Sequence, residues 1–96
     1  MHYLQIPIRW HDASGVEREQ KLYWTREQVI DKLWVASEVY FSGDTLGILF
    51  EWPDGVVRCL HIKDAAFQQW RKNEAHTTYV ECINHVFDTR QNEWHG

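Results

Sequence analysis

No apolar run in this chain approaches the ~18 residues that a membrane-spanning helix requires, so the sequence predicts no transmembrane segment. The opening "MHYLQIPIRW" lacks a basic region followed by a long apolar core and does not read as a secretory signal. Cysteine is scarce, with two in 96 residues. In a signal-free chain those two predict reduced thiols and a cytoplasmic location rather than disulfide staples. Positive charge is also in short supply. Ten Lys and Arg stand against fourteen Asp and Glu, for a formal net charge of −4. A surface that tracks phosphates needs clustered Lys and Arg to displace counterions, so nucleic acid is the less favoured partner.

The familiar chemical signatures are missing as well. There is no G-x-S-x-G elbow, phosphate-binding loop, G-x-G-x-x-G or H-E-x-x-H. The carboxylate pairs Glu17/Glu19 and Glu51/Asp54 fall in solvated strand and turn positions, where they serve solubility. These absences predict a protein that is not an enzyme, with no catalytic residue and no cofactor.

What the chain does have is aromatic weight. Six tryptophans occupy positions 10, 24, 34, 52, 70 and 94. Ninety-six residues form one domain, 1–96, long enough to bury a core without metal or disulfides. A domain of that size will struggle to bury six indoles.

Periodicity predicts an α+β fold. Leu4, Ile6, Ile8 and Trp10 alternate with Tyr3, Gln5, Pro7 and Arg9, the period-2 pattern of a half-buried strand over 3–10. Pro7 cannot donate a ladder hydrogen bond, which predicts a sheet edge. A polar second strand returns over 16–24. Thr25 and Gln28 form a T-x-x-Q capping box opening a helix over 25–42, with Val29, Ile30, Leu33, Trp34, Tyr40 and Phe41 as its stripe and Gly43 as its stop. Leu46, Ile48, Phe50 and Trp52 alternate again, "PDG" turns, and 56–62 returns. Pairing Trp52 with Val56 puts Val56, Arg58, Leu60 and Ile62 on one face and Val57, Cys59 and His61 on the other.

Asp64 caps a helix over 64–74, and the 3.6-residue spacing of Tyr79, Val80, Ile83, Val86 and Phe87 predicts another over 78–91. The expected architecture is a single domain in ββα-ββα(α) order. A four-stranded, mainly antiparallel sheet carries its helices on one face. "WHDASGVER" (10–18) and "WPDGVVR" (52–58) echo each other, as a duplicated hairpin–helix unit with a pseudo-two-fold axis would.

Two short stretches invite a metal or thiol reading. "RCLHI" places Cys59 two residues before His61, and "VECINHVF" places Cys82 three before His85. Two thiolates and two imidazoles are a legitimate tetrahedral zinc set, but C-x-H on a strand is not a zinc knuckle. Buried cysteine is common as a small hydrophobe. The expectation is no metal site, with Cys59 and Cys82 in one core layer.

Recognition of another protein remains. Interface hot spots are enriched in Trp, Tyr and Arg. A small acidic Trp-rich domain suits an inhibitor or modulator of a larger partner with a basic surface, as immunity proteins and phage anti-defence proteins are. The expected partner-binding residues are the exposed members of Trp10, Trp24, Trp52, Trp70 and Trp94, with Arg9, Glu51 and Asp54 at the rim. A homodimer through edge strand 3–10 is also expected. A nucleic-acid-binding accessory role, or a small Cys/His metal domain, is the alternative.

Overall fold

Five antiparallel strands make one sheet, and the described helices lie on one side of it. The structure is a computed structural model describing residues 1–71 and 79–96, with backbone only for residues 70 and 71. The elements are β1 (Tyr3–His11), β2 (Glu17–Thr25), α1 (Arg26–Val35), β3 (Glu38–Ser42), β4 (Thr45–Glu51), β5 (Val57–Lys63), α2 (Ala66–Arg71) and α3 (Tyr79–Thr89), followed by a 3-10 turn at Gln91–Glu93. The sheet order is β2-β1-β5-β4-β3. Single-domain α+β architecture holds; four strands and ββα-ββα(α) order do not.

The extra strand comes from the segment assigned to one long helix. The predicted capping box is present, with Gln28 N–H donating to Thr25 Oγ1 and Thr25 N–H to Gln28 Oε1. The helix nevertheless stops at Val35, where Ala36 turns extended. "EVYF" then pairs with β4, giving the outer edge of that strand ladder partners that a helix could not supply. Gly43 ends no helix. It sits at positive φ (62°) in the two-residue Gly43-Asp44 loop joining β3 to β4.

β1 is not an edge strand either. It pairs with β2 along its whole length and with β5 at Ile8↔Leu60 and Arg9↔Cys59. Asp12 N–H donates to Val16, so even-numbered residues of β1 turn their backbone groups to β2 and odd-numbered ones to β5. Pro7 therefore lacks its donor on the β5 side, opposite His61, and there the β1–β5 ladder ends. An interior strand accommodates proline because its neighbour splays away. Arg90 reaches into the gap and donates to the Lys63 carbonyl.

Leu4, Ile6, Ile8, Leu46, Ile48, Phe50, Leu60 and Ile62 form the sheet's share of the core. Val29, Phe67, Cys82, Ile83, Val86 and Phe87 come down on it from the helices. The β4–β5 register is the predicted one, with Glu51↔Val57 and Trp52 N–H donating to Val56. The helix predicted from the spacing is present as Tyr79–Thr89, with Ile83, Val86 and Phe87 buried. Tyr79 and Val80, assigned to the same stripe, are 40% and 36% exposed. Thr78, the predicted start of the last helix, and the 72–74 end of the predicted second helix lie outside the described residues.

The internal echo is real as geometry, but its symmetry differs from expectation. Both loops are held by an aspartate that receives its arginine, Arg18 to Asp12 and Arg58 to Asp54. Trp10 and Trp52 stand two residues before these aspartates. In the order β2-β1-β5-β4, however, the first hairpin maps onto the second by a shift of two strands along the sheet. A two-fold between β1 and β5 would exchange first strands with second strands.

Candidate functional site

The two faces of the sheet differ completely. One is covered by α1, α2 and α3. The other has no helix on it among the described residues, and β1, β5, β4 and β3 present Arg9, Val57, Cys59, His61, Leu49 and Tyr40 there. These residues line a shallow concavity of about 240 Å³ together with Trp10, His11 and Glu17.

Alternation explains the set. Residues one step out of phase with Ile8, Ile48 and Leu60 must face away from the core. Tyr40 lies across Gly47, its cross-strand partner, and its hydroxyl reaches Cys59 Sγ at 3.3 Å. Only glycine leaves room for that ring. Arg9, in the middle of the face, donates to Glu19 Oε2 at 2.9 Å.

The electrostatics do not make this a nucleophilic centre. Burial pushes the Cys59 thiol up from its ordinary value, with the Tyr40 hydroxyl opposing only part of that. The Tyr40 phenol is pushed up to about 12, first by its hydrogen bond to Cys59 and then by burial. Burial, and then the charge of Arg9, push His61 down. Thiolate and imidazolium are both disfavoured, opposite to what an activated Cys–His pair needs. The face is polarised along the strands. Glu17, Glu38 and Glu51 lie toward the hairpin-loop end, and Lys21 and Lys63 toward the other.

Beside it, the splayed gap between β1 and β5 opens into a cleft of about 510 Å³ lined by Gln5, Pro7, Arg9, Thr45, His61, Lys63 and Arg90, with no carboxylate in its walls.

The four Cys and His candidates do not converge. Cys82 is fully buried in the core, while Cys59 and His61 are on the opposite, open face. The expectation that Cys59 shares the core layer of Cys82 is therefore corrected, because β5 alternation turns it outward. His85 stays near the core margin, its Nε2 3.6 Å from Asp64 Oδ1. Among the described residues no group of three or more potential ligands could hold a metal ion.

The aromatic candidates separate into structural and accessible members. Trp24 is buried at 7% exposure and cannot meet a partner. Trp94 donates its indole N–H to the Phe87 carbonyl and stacks on His2, tying the C-terminus down. Trp10 and Trp52 are half-buried on the helix-side face, where Arg58 is sandwiched between them, 4.6 and 4.9 Å from their ring centres. Asp54 holds that guanidinium through both oxygens. These three hold the loop end of the sheet together, leaving only their outer surfaces for contact. Of the rim residues, Glu51 is exposed and Arg9 half-buried on the open face. The side chain of Trp70 lies outside the described residues.

One residue was missed altogether. Trp34, assigned to the helix stripe, is 79% exposed, and Val35 beside it is 62% exposed. The signal lay in its spacing: at about 100° per residue Trp34 is turned about 140° from buried Val29, while Leu33 and Ala36 keep that end of the helix packed on the core.

Comparison with family models, curated proteins and solved structures finds no match. No helix among the described residues is long and apolar enough to cross a membrane.

Proposed function

We propose that this protein is a non-enzymatic binding module that docks on a larger protein through the uncovered face of its sheet and thereby inhibits or modulates it. One observation carries the reading. Among the described residues one whole face of the five-stranded sheet carries no helix, and it presents Leu49, Val57 and Tyr40 beside Arg9, with Glu17, Glu38 and Glu51 toward its loop end. Apolar and aromatic side chains interleaved with an arginine and flanked by charges are a composition that protein contact surfaces use. The acidic end at Glu17, Glu38 and Glu51 suits a partner that brings basic groups there, and steers its approach. An inhibitor of the immunity or anti-defence type uses a rigid body of this kind, and a cytoplasmic partner fits its reduced, unpaired thiols.

The test is binding by open-face variants. Leu49→Lys and Val57→Glu place new charge on the open face, one centrally and one toward the loop end, without touching the core. Each should abolish capture of a partner from host lysate while circular dichroism stays unchanged.

The cation-lined cleft favours a second reading, a nucleic-acid accessory role. Tight oligonucleotide binding with a steep salt dependence, lost in Lys63→Ala, would replace the first.

A further inference from the structure

The two edges of the sheet are not equally protected. β2 carries Glu17, Arg18, Glu19 and Lys21 along its exposed length, charges of the kind that keep edges from pairing. β3 has a single charge, Glu38, in five residues. Its backbone direction is fixed by the tight Gly43-Asp44 loop. The closing pair Ser42↔Thr45 exchanges both hydrogen bonds, so Tyr40 and Glu38 also turn their backbone groups to β4. Val39 and Phe41 turn theirs outward, where no strand among the described residues follows.

The side chains around this edge are apolar. Trp34 and Val35 stand exposed just before β3. Tyr79, 40% exposed, lies beside Phe41 with ring centres 5.7 Å apart, and Val80 follows it. Four of the exposed large hydrophobic residues thus flank one short strand.

We propose that β3 pairs antiparallel with β3 of a second copy, about a two-fold axis through Tyr40, to make a continuous ten-stranded sheet. The strand is self-complementary in this register. Val39 faces Phe41 of the second copy, so every outward backbone group finds its partner. Glu38 faces Ser42, which keeps like charges apart. The β-branched and aromatic side chains meet as a favourable cross-strand pair. The same axis carries Trp34 and Val35 of one copy toward Tyr79 and Val80 of the other, covering all four. A second copy fits because both the backbone pattern and the apolar flanks are matched by the strand's own reverse. This edge is distinct from the open face, so self-association and partner docking are tested separately.

Light scattering from micromolar to millimolar concentration should approach twice the chain mass of 11.6 kDa. Trp34→Glu, on the surface, and Val39→Pro, which removes one outward N–H, should each raise the dimer dissociation constant ~10-fold or more. The Val39 and Phe41 amides should exchange slowly in the dimer and quickly in either variant. If Val39→Pro fails to fold, Trp34→Glu alone decides. A mass of 11.6 kDa throughout, or a dimer insensitive to Trp34→Glu with fast-exchanging Val39 and Phe41 amides, overturns the proposal.

Discussion

The phenol ring of Tyr40 crosses Gly47 so closely that a Cβ there would stand 2.3 Å from its Cζ. That contact places the Tyr40 hydroxyl on Cys59 and closes one side of the open-face concavity. Gly47→Ala should push the ring aside, costing about 1–2 kcal/mol, since the crowded atoms are at the side chain's movable end. The specific readout is Cys59: without the hydroxyl that holds its pKa down, the pH profile of its reaction with a thiol reagent should move to higher pH. An unmoved profile would mean that the Tyr40 hydroxyl does not act on the thiol.

Alkali should destabilise the fold through its thiols. Burial raises Cys82 from the ordinary 9.0 to about 11. The folded chain therefore holds this proton after the unfolded chain has released it. The resulting stability is fully present below pH 9 and is lost as pH rises through about 11. Denaturant melts should show a falling midpoint across that window. Cys82→Ala should cost about 1 kcal/mol at neutral pH and make the fall shallower. An identical slope in the variant would contradict the assignment.

Arg58 and Arg18 hold equivalent turn aspartates but should differ in weight. The Arg58 side chain is 14% exposed between two indoles, that of Arg18 58% exposed. Arg58→Ala should therefore lower the melting temperature clearly more than Arg18→Ala, and shift tryptophan emission by freeing Trp10 and Trp52. Arg58→Lys should recover only part, because an ammonium cannot serve both carboxylate oxygens and both rings at once. Equal losses for the two alanine variants would show that the sandwich contributes nothing.

Local patterns were legible wherever one face of an element is buried. Alternation placed β1, β4 and β5 and the 56–62 register. The capping box placed the start of α1, and helical spacing placed α3. What failed depended on partners distant in sequence. Pro7 reads as an edge residue unless the splaying of β5 is known. "EVYF" reads as helix until β4 offers it an edge. Trp34 was assigned inward because it follows Ile30 by four residues, yet it is turned about 140° from buried Val29 and lies off the covered stripe. Of the site, the grouping of Val57, Cys59 and His61 on one face was readable. The pairing of Cys59 with Tyr40 was not, since it needs β3.

Chelation should leave the protein unchanged. With Cys82 in the core and Cys59 across the sheet, no tetrahedral set forms from the cysteines and their histidine neighbours. Purified protein should carry no stoichiometric zinc, and a strong chelator should not move its melting temperature. His85→Ala should have an effect well under that of Cys82→Ala. One equivalent of zinc surviving dialysis would refute this geometry.

Docking through the uncovered sheet face stands or falls on binding. The most direct measurement is the affinity of a captured partner for four forms of the chain: wild type, Leu49→Lys, Val57→Glu and Trp34→Glu. The two open-face substitutions should weaken binding by at least ~30-fold, the loss expected at a hot spot, while Trp34→Glu should bind as wild type does. Partner binding indifferent to both Leu49→Lys and Val57→Glu, in variants that melt normally, would contradict it.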